Sequence, residues 1–558
     1  MSLRHRTHRI LYVPLDDRPC NTRWPALLAR SVDFDLVMPP SEMLGRYNTP
    51  GNPEAIADWL MRARGRIDAA VLSLDMLAYG GLIASRSPAT PVETALHRLT
   101  VLPALRDHLG DASIFAFNVI MRLSITADSP ETAQYWEMMR EYTELQYQVD
   151  NLGRADLADR VQSLQRGIPG EVIDSFEAAR RRNHTVNLRA TKYAADGALD
   201  FLALTQEDAA QFGPHVPEQQ RLRDFIVARG IENKAVIYPG ADEAGSVLMA
   251  RFINQHMLRT PSVRVIYSSQ EGANRIATFE DRPVRETVEA QIRAVGAHIC
   301  DDEDDDRADL NFLVATPAEG VRSDYERGPA REDRRRELRG LIEAGEEAGK
   351  HLVLCDLGFP NGADDLLMRD LRHSDIELHR LMSFAAWNTA GNSIGSALAH
   401  GTLRLIALQD KGAFDLAQLL TDISPMRYLE LLNSLIDSER AHVQLLLTRL
   451  VDDWLYQTRV RREVTDHVVN LLEASTFNLA DSYRQTERMV ATQLSAATSD
   501  LWSHHFLARE TVRLGVQGGR ASLVLDALEA TDVSLPWRRM FEVDLDFRFG
   551  VDLVAEGD

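Results

Sequence analysis

Along the first 400 residues, apolar positions recur in one repeated arrangement. A short, β-branched run ends in a polar cluster, and an amphipathic stretch at helical spacing follows. The runs are RILYVPL (9–15), FDLVMP (34–39), AAVLSL (69–74), SIFAFNVI (113–120) and DFLALT (200–205). KAVIYP (234–239), VRVIYS (263–268), DLNFLVAT (309–316), HLVLCDL (351–357) and MSFAAW (382–387) continue the series. Strands alternating with helices predict an α/β protein with a largely parallel sheet. Near-continuous apolarity within each run predicts a sheet covered on both faces. The expected assembly is barrel-like or doubly wound. The runs outnumber the eight strands of a simple barrel, so an appended α/β unit is expected.

The pattern divides the chain into a β/α unit over 1–260, a second α/β unit over 261–409, a helical domain over 410–515 and a small β element over 516–558. Inside the first unit, 129–195 is polar and rich in Glu, Arg and Gln at helical spacing. It opens with the Ser-Pro-Glu of a helix start and reads as a helical insertion. Near the C-terminus, MFEVDLDFRF alternates like a half-buried antiparallel strand. The acidic run CDDEDDDRADL (300–310) lacks the spacing and the glycine of a calcium loop, and reads as a solvated loop.

Candidate chemistry gathers where the strand runs end. DDRP, DMLAYGG, MR, QED, GADEAG, SQEG, GFPNGADD and NTAGN all follow such runs, at the edge where ligands bind in barrels and in doubly wound sheets. Asp242 with Glu243, and Glu207 with Asp208, are adjacent acidic pairs and the catalytic candidates. A glycine-flanked turn can direct both acids of a pair into one pocket, and neighbouring carboxylates push each other's pKa values apart. The competing reading is a helix cap with an acid in the first turn, or, for the second pair, exposed loop acids. Asp16, Asp17 and Arg18 of PLDDRP form either a substrate clamp or a buried ion pair. Asp75 of SLDMLAYGG and Asn118 and Arg122 of FNVIMR join them as binding candidates. Trp387 offers a flat face for a sugar ring, and Asn388 and Asn392 offer two-way hydrogen bonding. A tight turn carrying a core tryptophan accounts for that segment equally simply.

Composition narrows the classes. With 62 Lys+Arg against 83 Asp+Glu, the formal charge is −21, which argues against a phosphate-backbone partner. Three distant cysteines with no CxxC spacing support neither a disulfide framework nor a cysteine zinc site. No run of about 18 apolar residues is present, and the N-terminal apolar run is too short for a signal peptide, so a cytoplasmic protein with no membrane partner is expected. Walker A, GxGxxG after the first strand and HExxH are all absent from the sequence. No cofactor is predicted, although hard rim carboxylates suit a divalent metal.

At YVPLDDRPCN, SLDMLAYGGLIASR, FNVIMR, LTQED, YPGADEAG, WNTAGNSIG and LPWRRMFEV, the chain resembles, nearly end to end, the bacterial domain-of-unknown-function family 4127. By that resemblance an Asp is expected where Glu207 stands. Shorter stretches are similar to retaining β-N-acetylhexosaminidases: GADE (240–243) to glycoside hydrolase family 20, and QED (206–208) with WNTAGN to family 84. In those families one acid polarises the substrate's 2-acetamido group and its neighbour protonates the leaving oxygen. The first resemblance implies no activity. The second implies a glycoside hydrolase acting on small or bacterial glycans, N-acetylhexosaminides among them, with Glu243 or Asp208 as acid and Asp242 or Glu207 orienting the assisting group. A metal-dependent carbohydrate hydrolase or isomerase and a non-catalytic carbohydrate-binding protein are the alternatives. The expected partner is a small-molecule or oligosaccharide substrate.

Overall fold

The computed structural model describes residues 8–127, 130–300, 307–318, 329–412, 424–472, 475–516 and 519–555. Most of the acidic run at 300–310 lies outside the described residues.

Six parallel strands form the first sheet: β1 (His8–Val13), β2 (Phe34–Val37), β3 (Ala69–Ser73), β4 (Ser113–Ile120), β5 (Phe201–Gln206) and β6 (Ala235–Pro239), in the order β2-β1-β3-β4-β5-β6. The sheet is open, so the doubly wound alternative holds and the barrel does not. Five more strands, β7 (Ser262–Tyr267), β8 (His298–Ile299), β9 (Leu310–Ala315), β10 (Leu352–Asp356) and β11 (Ser383–Ala385), form a second parallel sheet ordered β11-β10-β9-β7-β8. Numbered within their own units, both sheets begin 2-1-3-4-5. The two α/β units therefore share one winding, which places a switch point between β1 and β3 in the first and between β7 and β9 in the second.

Alternate residues of each strand enter different cores, as period two requires. On β1, Ile10 and Tyr12 face a core shared by both sheets, while Leu11 and Val13 face a separate outer core. The shared core also takes Phe312 and Val314 of β9 and Val353 and Cys355 of β10. Four helices fill the space between the sheets: Arg23–Ser31, Ala244–His256, Val284–Ala294 and Ala390–Gly412. Close approach is built in at Gly391, where a Cβ would stand 2.2 Å from the Pro239 carbonyl oxygen. That contact presses the turn after β6 against the turn after β11.

All ten sequence runs form strands, and β8, only two residues long, was not among them. The insertion between β4 and β5 is helical, comprising Pro130–Leu152, Ala158–Gly167 and Gly170–Ala195. After the second sheet come the helix Pro425–Arg449, a π-helical stretch Leu450–Val460, and the helices Arg461–Asn470 and Tyr483–His505. An antiparallel sheet of β12 (Glu510–Val516), β13 (Gly519–Ser534) and β14 (Asp544–Ala555) closes the fold. β12 begins inside the stretch whose pattern reads as helical. β14 is the strand that the MFEVDLDFRF alternation predicts. These C-terminal elements cover the far face of the second sheet, packing on Leu313, Leu354 and Phe384.

Candidate functional site

The first unit's carboxyl rim is built turn by turn from local chemistry. After β1, Asp16 accepts the Arg18 backbone N–H at 3.1 Å, an Asx turn that presents the arginine. After β3, Ser73 caps the short helix Leu74–Tyr79 by accepting the Met76 N–H, and Gly80, left-handed at φ 89°, ends it. Asp75 therefore sits in the first turn of that helix, directly at the switch point. Several rim residues carry backbone strain: Asp208, Asn361 and Asn388 have φ of 21°, 59° and 64°. Such strain concentrates at functional sites.

Arg18 is the hub of one cluster. Its Nε donates to Asp16 Oδ2 at 2.9 Å, and its Nη2 donates both to Asp16 Oδ2 at 2.7 Å and to Asp242 Oδ1 at 2.5 Å. Glu542 is a third carboxylate, 3.8 Å from Arg18 Nη1. Asn21 Nδ2 donates to Asp16 and Asp242, at 2.9 and 3.2 Å. From the second unit, Asn388 Nδ2 reaches Asp242 Oδ2 at 3.4 Å, and Asn392 Oδ1 accepts the Asp242 N–H at 2.9 Å. Burial pushes the Asp242 carboxyl up, while the Arg18 charge pulls it down. Asp16, Arg18, Asn21 and Asp242 are all buried.

Trp537 covers this cluster. Its ring centroid lies 5.0 Å from the Arg18 guanidinium, its Nε1 donates to Asp17 Oδ1 at 2.7 Å, and it packs against Tyr47 at 5.1 Å. An open cleft of about 540 Å³, lined by Asp17, Glu42, Arg46, Thr49 and Trp537, lies outside it. A throat of only about 10 Å³, between Asp16, Tyr47, Gly81 and Trp537, runs inward.

A second cluster occupies the ends of β3, β4 and β5. Arg86 Nη2 donates to Glu207 Oε1, and Arg122 Nη2 donates to Asp208 Oδ2, with Arg122 also 3.8 Å from Glu207. Asp75 Oδ2 accepts the Val119 N–H at 2.9 Å. Burial, opposed by that hydrogen bond and reinforced by the Glu207 charge, pushes the Asp75 carboxyl up to about 7. Glu207 also raises the pKa of Asp242, so the two clusters sense one another. Asp75 Oδ1 and Glu207 Oε2 are buried with no hydrogen-bond partner among the described residues, the kind of vacancy that a water or ligand polar group fills.

The structure thus brings together Asp16, Arg18, Asp242, Asn388 and Asn392, and separately Asp75, Arg122, Glu207 and Asp208, with Asp17 facing the outer cleft. Three candidates have other places. Glu243 turns back so that its Oε2 accepts the Ala241 N–H at 2.8 Å, and Gly240 and Gly395 crowd its carboxylate and its Cγ. The acids of the 242–243 pair therefore diverge instead of sharing a pocket. Trp387 is 2% exposed, edge-on to Trp24 at 5.5 Å and near Phe541, leaving no face for a sugar ring. Asn118 Nδ2 donates to Asn187 Oδ1 at 2.5 Å, tying β4 to the insertion helix. The helix start after NTAGN is taken by this chain's own acid: the Gly391 N–H donates to Glu280 Oε1 at 2.8 Å. Cys20 is buried, which pushes its thiol up and away from the thiolate a nucleophile needs.

Sequence reasoning missed Arg86, Asn21, Tyr47, Trp537 and Glu542. Arg86 ends the quoted stretch SLDMLAYGGLIASR, and Trp537 and Glu542 lie in LPWRRMFEV, so the signal was their place in those segments. The second unit's acids are structural ties. Asp364 caps a helix and pairs with Arg334, and Asp365 accepts from Trp454 and Arg459. Among the described residues, no three His, Cys, Asp or Glu ligand atoms converge at this rim closely enough to hold a metal ion.

Fold and site together define a protein of two doubly wound α/β units, whose polar site lies at a sheet switch point beneath a C-terminal tryptophan. Residues 10–546 match the family model described as "Protein of unknown function (DUF4127)", and the chain belongs to that family. No curated protein and no solved structure matches it.

Proposed function

We propose that this chain hydrolyses glycosidic bonds, with Asp75 as proton donor and Glu207 as the ion-paired carboxylate that works with it. One observation carries the reading: two interacting carboxylates at the switch-point rim have unlike surroundings. Burial and the Glu207 charge keep a proton on Asp75 up to about pH 7, whereas Glu207 is paired with Arg86 and Arg122. An acid that retains its proton beside a carboxylate paired with arginines is the division of labour that glycosyl transfer to water uses. Trp537 gives the cleft an aromatic wall suited to sugar C–H faces. Asn388 and Asn392 stand at Asp242, and N-acetylhexosaminides are the substrates to test first.

The test is nitrophenol release from a panel of glycosides with and without a 2-acetamido group, in the presence and absence of a chelator. Turnover confined to acetamido sugars, indifferent to chelator and reduced about 10²–10⁴-fold in Asp75→Asn, is expected. Hydrolysis that survives in both Asp75→Asn and Glu207→Gln would refute the assignment. Activity lost to chelator and restored by a divalent ion would favour metal-dependent chemistry.

The narrow throat favours a second reading. At about 10 Å³ it admits roughly one water, so a sugar held in the outer cleft would not reach Asp75. A carbohydrate-binding protein of that kind shows saturable binding without turnover, unchanged by Asp75→Asn.

A further inference from the structure

At the amino edge of the first sheet, opposite the rim, three side chains from three segments converge. His8 opens β1, Asp68 immediately precedes β3, and His256 ends the helix Ala244–His256. One ligand atom from each lies within 4.8 Å of the other two. The parallel β1–β3 ladder sets the first pairing. The Asp68 N–H donates to the Arg9 carbonyl, and Asp68 Oδ2 accepts the Arg9 N–H, each at 2.9 Å. This clamp leaves Oδ1 3.8 Å from His8 Nδ1. That nitrogen is buried and has no hydrogen-bond partner among the described residues. The His8 and His256 rings meet edge to face at 4.4 Å, and Phe34 and Phe252 wall the imidazoles in and limit their rotation. His256 also lies at the carbonyl end of its helix, which attracts a cation.

We propose that His8, Asp68 and His256 bind a divalent transition metal of the zinc class. Two imidazoles and one carboxylate are donors that suit zinc, cobalt or nickel, whereas magnesium and calcium take all-oxygen sets. Three protein ligands leave a fourth tetrahedral position for water. The backbone N–H on Asp68 Oδ2 is the outer contact that aims a ligating carboxylate. One group competes with the metal: Arg66 Nε donates to Asp68 Oδ1 at 2.9 Å. The Arg66 side chain is 57% exposed while that of Asp68 is 4% exposed, so the arginine can swing into solvent once a metal ion supplies the positive charge beside Asp68. The metal would fasten the start of β1, the approach to β3 and the end of the helix, far from the proposed catalytic carboxylates.

The experiment titrates the chelator-stripped full-length protein with Zn²⁺ by calorimetry and with Co²⁺ by visible absorption. One equivalent is expected, with the absorption of tetrahedral cobalt. His8→Ala and His256→Ala should each weaken binding by more than the about 10–100-fold that loss of an outer contact costs. Arg66→Ala should tighten it, because it removes the competitor for Asp68. Circular dichroism reports whether each variant folds, and the Arg66 result needs no ligand substitution. The proposal is overturned if the wild type takes up neither metal, if Arg66→Ala weakens binding, or if His8→Ala and His256→Ala leave binding unchanged.

Discussion

Arg18 and Asp242 are 224 residues apart in the chain, and their side chains meet at 2.5 Å. The contact joins the turn after β1 to the turn after β6. Because Asn388 and Asn392 also bind Asp242, it ties the first sheet's rim to the second. With Asp16 beside it, one guanidinium compensates two buried carboxylates, while the nearby Glu542 is paired with Arg539 at 2.9 Å.

Removing that guanidinium leaves Asp16 and Asp242 buried without their ion-pair partner. Arg18→Met should therefore destabilise the fold by about 3–5 kcal/mol, read as a lower urea midpoint at neutral pH. Asp242→Asn removes one of the charges and should cost less. Equal stability of Arg18→Met and the wild type would show that the cluster does not hold the rim together.

Asp75 makes stability depend on pH with a definite sign. Its folded-state pKa, about 7, lies above the roughly 3.9 of an unfolded aspartate, so the folded state binds the proton more tightly. The stability this contributes is full below about pH 4 and is lost as pH rises to about 7, a change on the order of 4 kcal/mol. Asp75→Asn should flatten that decline. Urea titrations at pH 5 and pH 8 check it, and an unchanged difference between the two would contradict the assignment. Glu280, raised to about 8 chiefly by burial, adds a decline of the same sign reaching higher pH, separable with Glu280→Gln.

Two glycines should respond in opposite directions to alanine. At Gly391 a Cβ would stand 2.2 Å from the Pro239 oxygen and 2.6 Å from its carbonyl carbon, backbone atoms that cannot step aside. Gly391→Ala should cost at least about 1–3 kcal/mol and draw Asn392 away from Asp242. Gly340, in the helix Pro329–Ala348, has nothing within 4 Å of its Cβ position. Gly340→Ala should stabilise by about 0.5–1 kcal/mol. Thermal unfolding of the two variants side by side is the check.

Trp537 is held through both its ring and its N–H. Trp537→Phe keeps an aromatic face over Arg18 but loses the bond to Asp17, at a cost of about 1–3 kcal/mol. Burial already raises the Asp17 pKa, and the Trp537 bond is the strongest influence opposing it. In the Phe variant the Asp17 carboxyl should therefore titrate at higher pH still, which carboxyl NMR would follow. An unmoved Asp17 would mean that the indole N–H does not act on it.

Strand positions were legible because apolar runs closed by polar turns are a local property. Ile10, Val71 and Leu204 need only their neighbours to read as buried β-structure. β8 escaped because His298 and Ile299 are too few to carry a period, and their pairing with Ser262 and Val263 is what makes them a strand. Adjacency also misled at Asp242 and Glu243. Both follow a glycine, but the packing of the helix Ala390–Gly412 at Gly395 encloses one acid while Arg18 draws out the other. Trp387 shows the same limit, since nothing in FAAWNTAGN announces Trp24 and Phe541 around it.

By itself, the sequence determined that this protein is α/β, that its strands end in acids and that these acids line one edge, because periodicity and turn chemistry act within a few residues. Tertiary structure alone decided that the sheets are open and wound alike, that Arg86 rather than a neighbour in sequence pairs with Glu207, and that Trp537 closes over Asp17 from 520 residues away. The reason is physical: sheet order and helix packing set which turns meet, and a side chain's charge, burial and partners follow from that meeting.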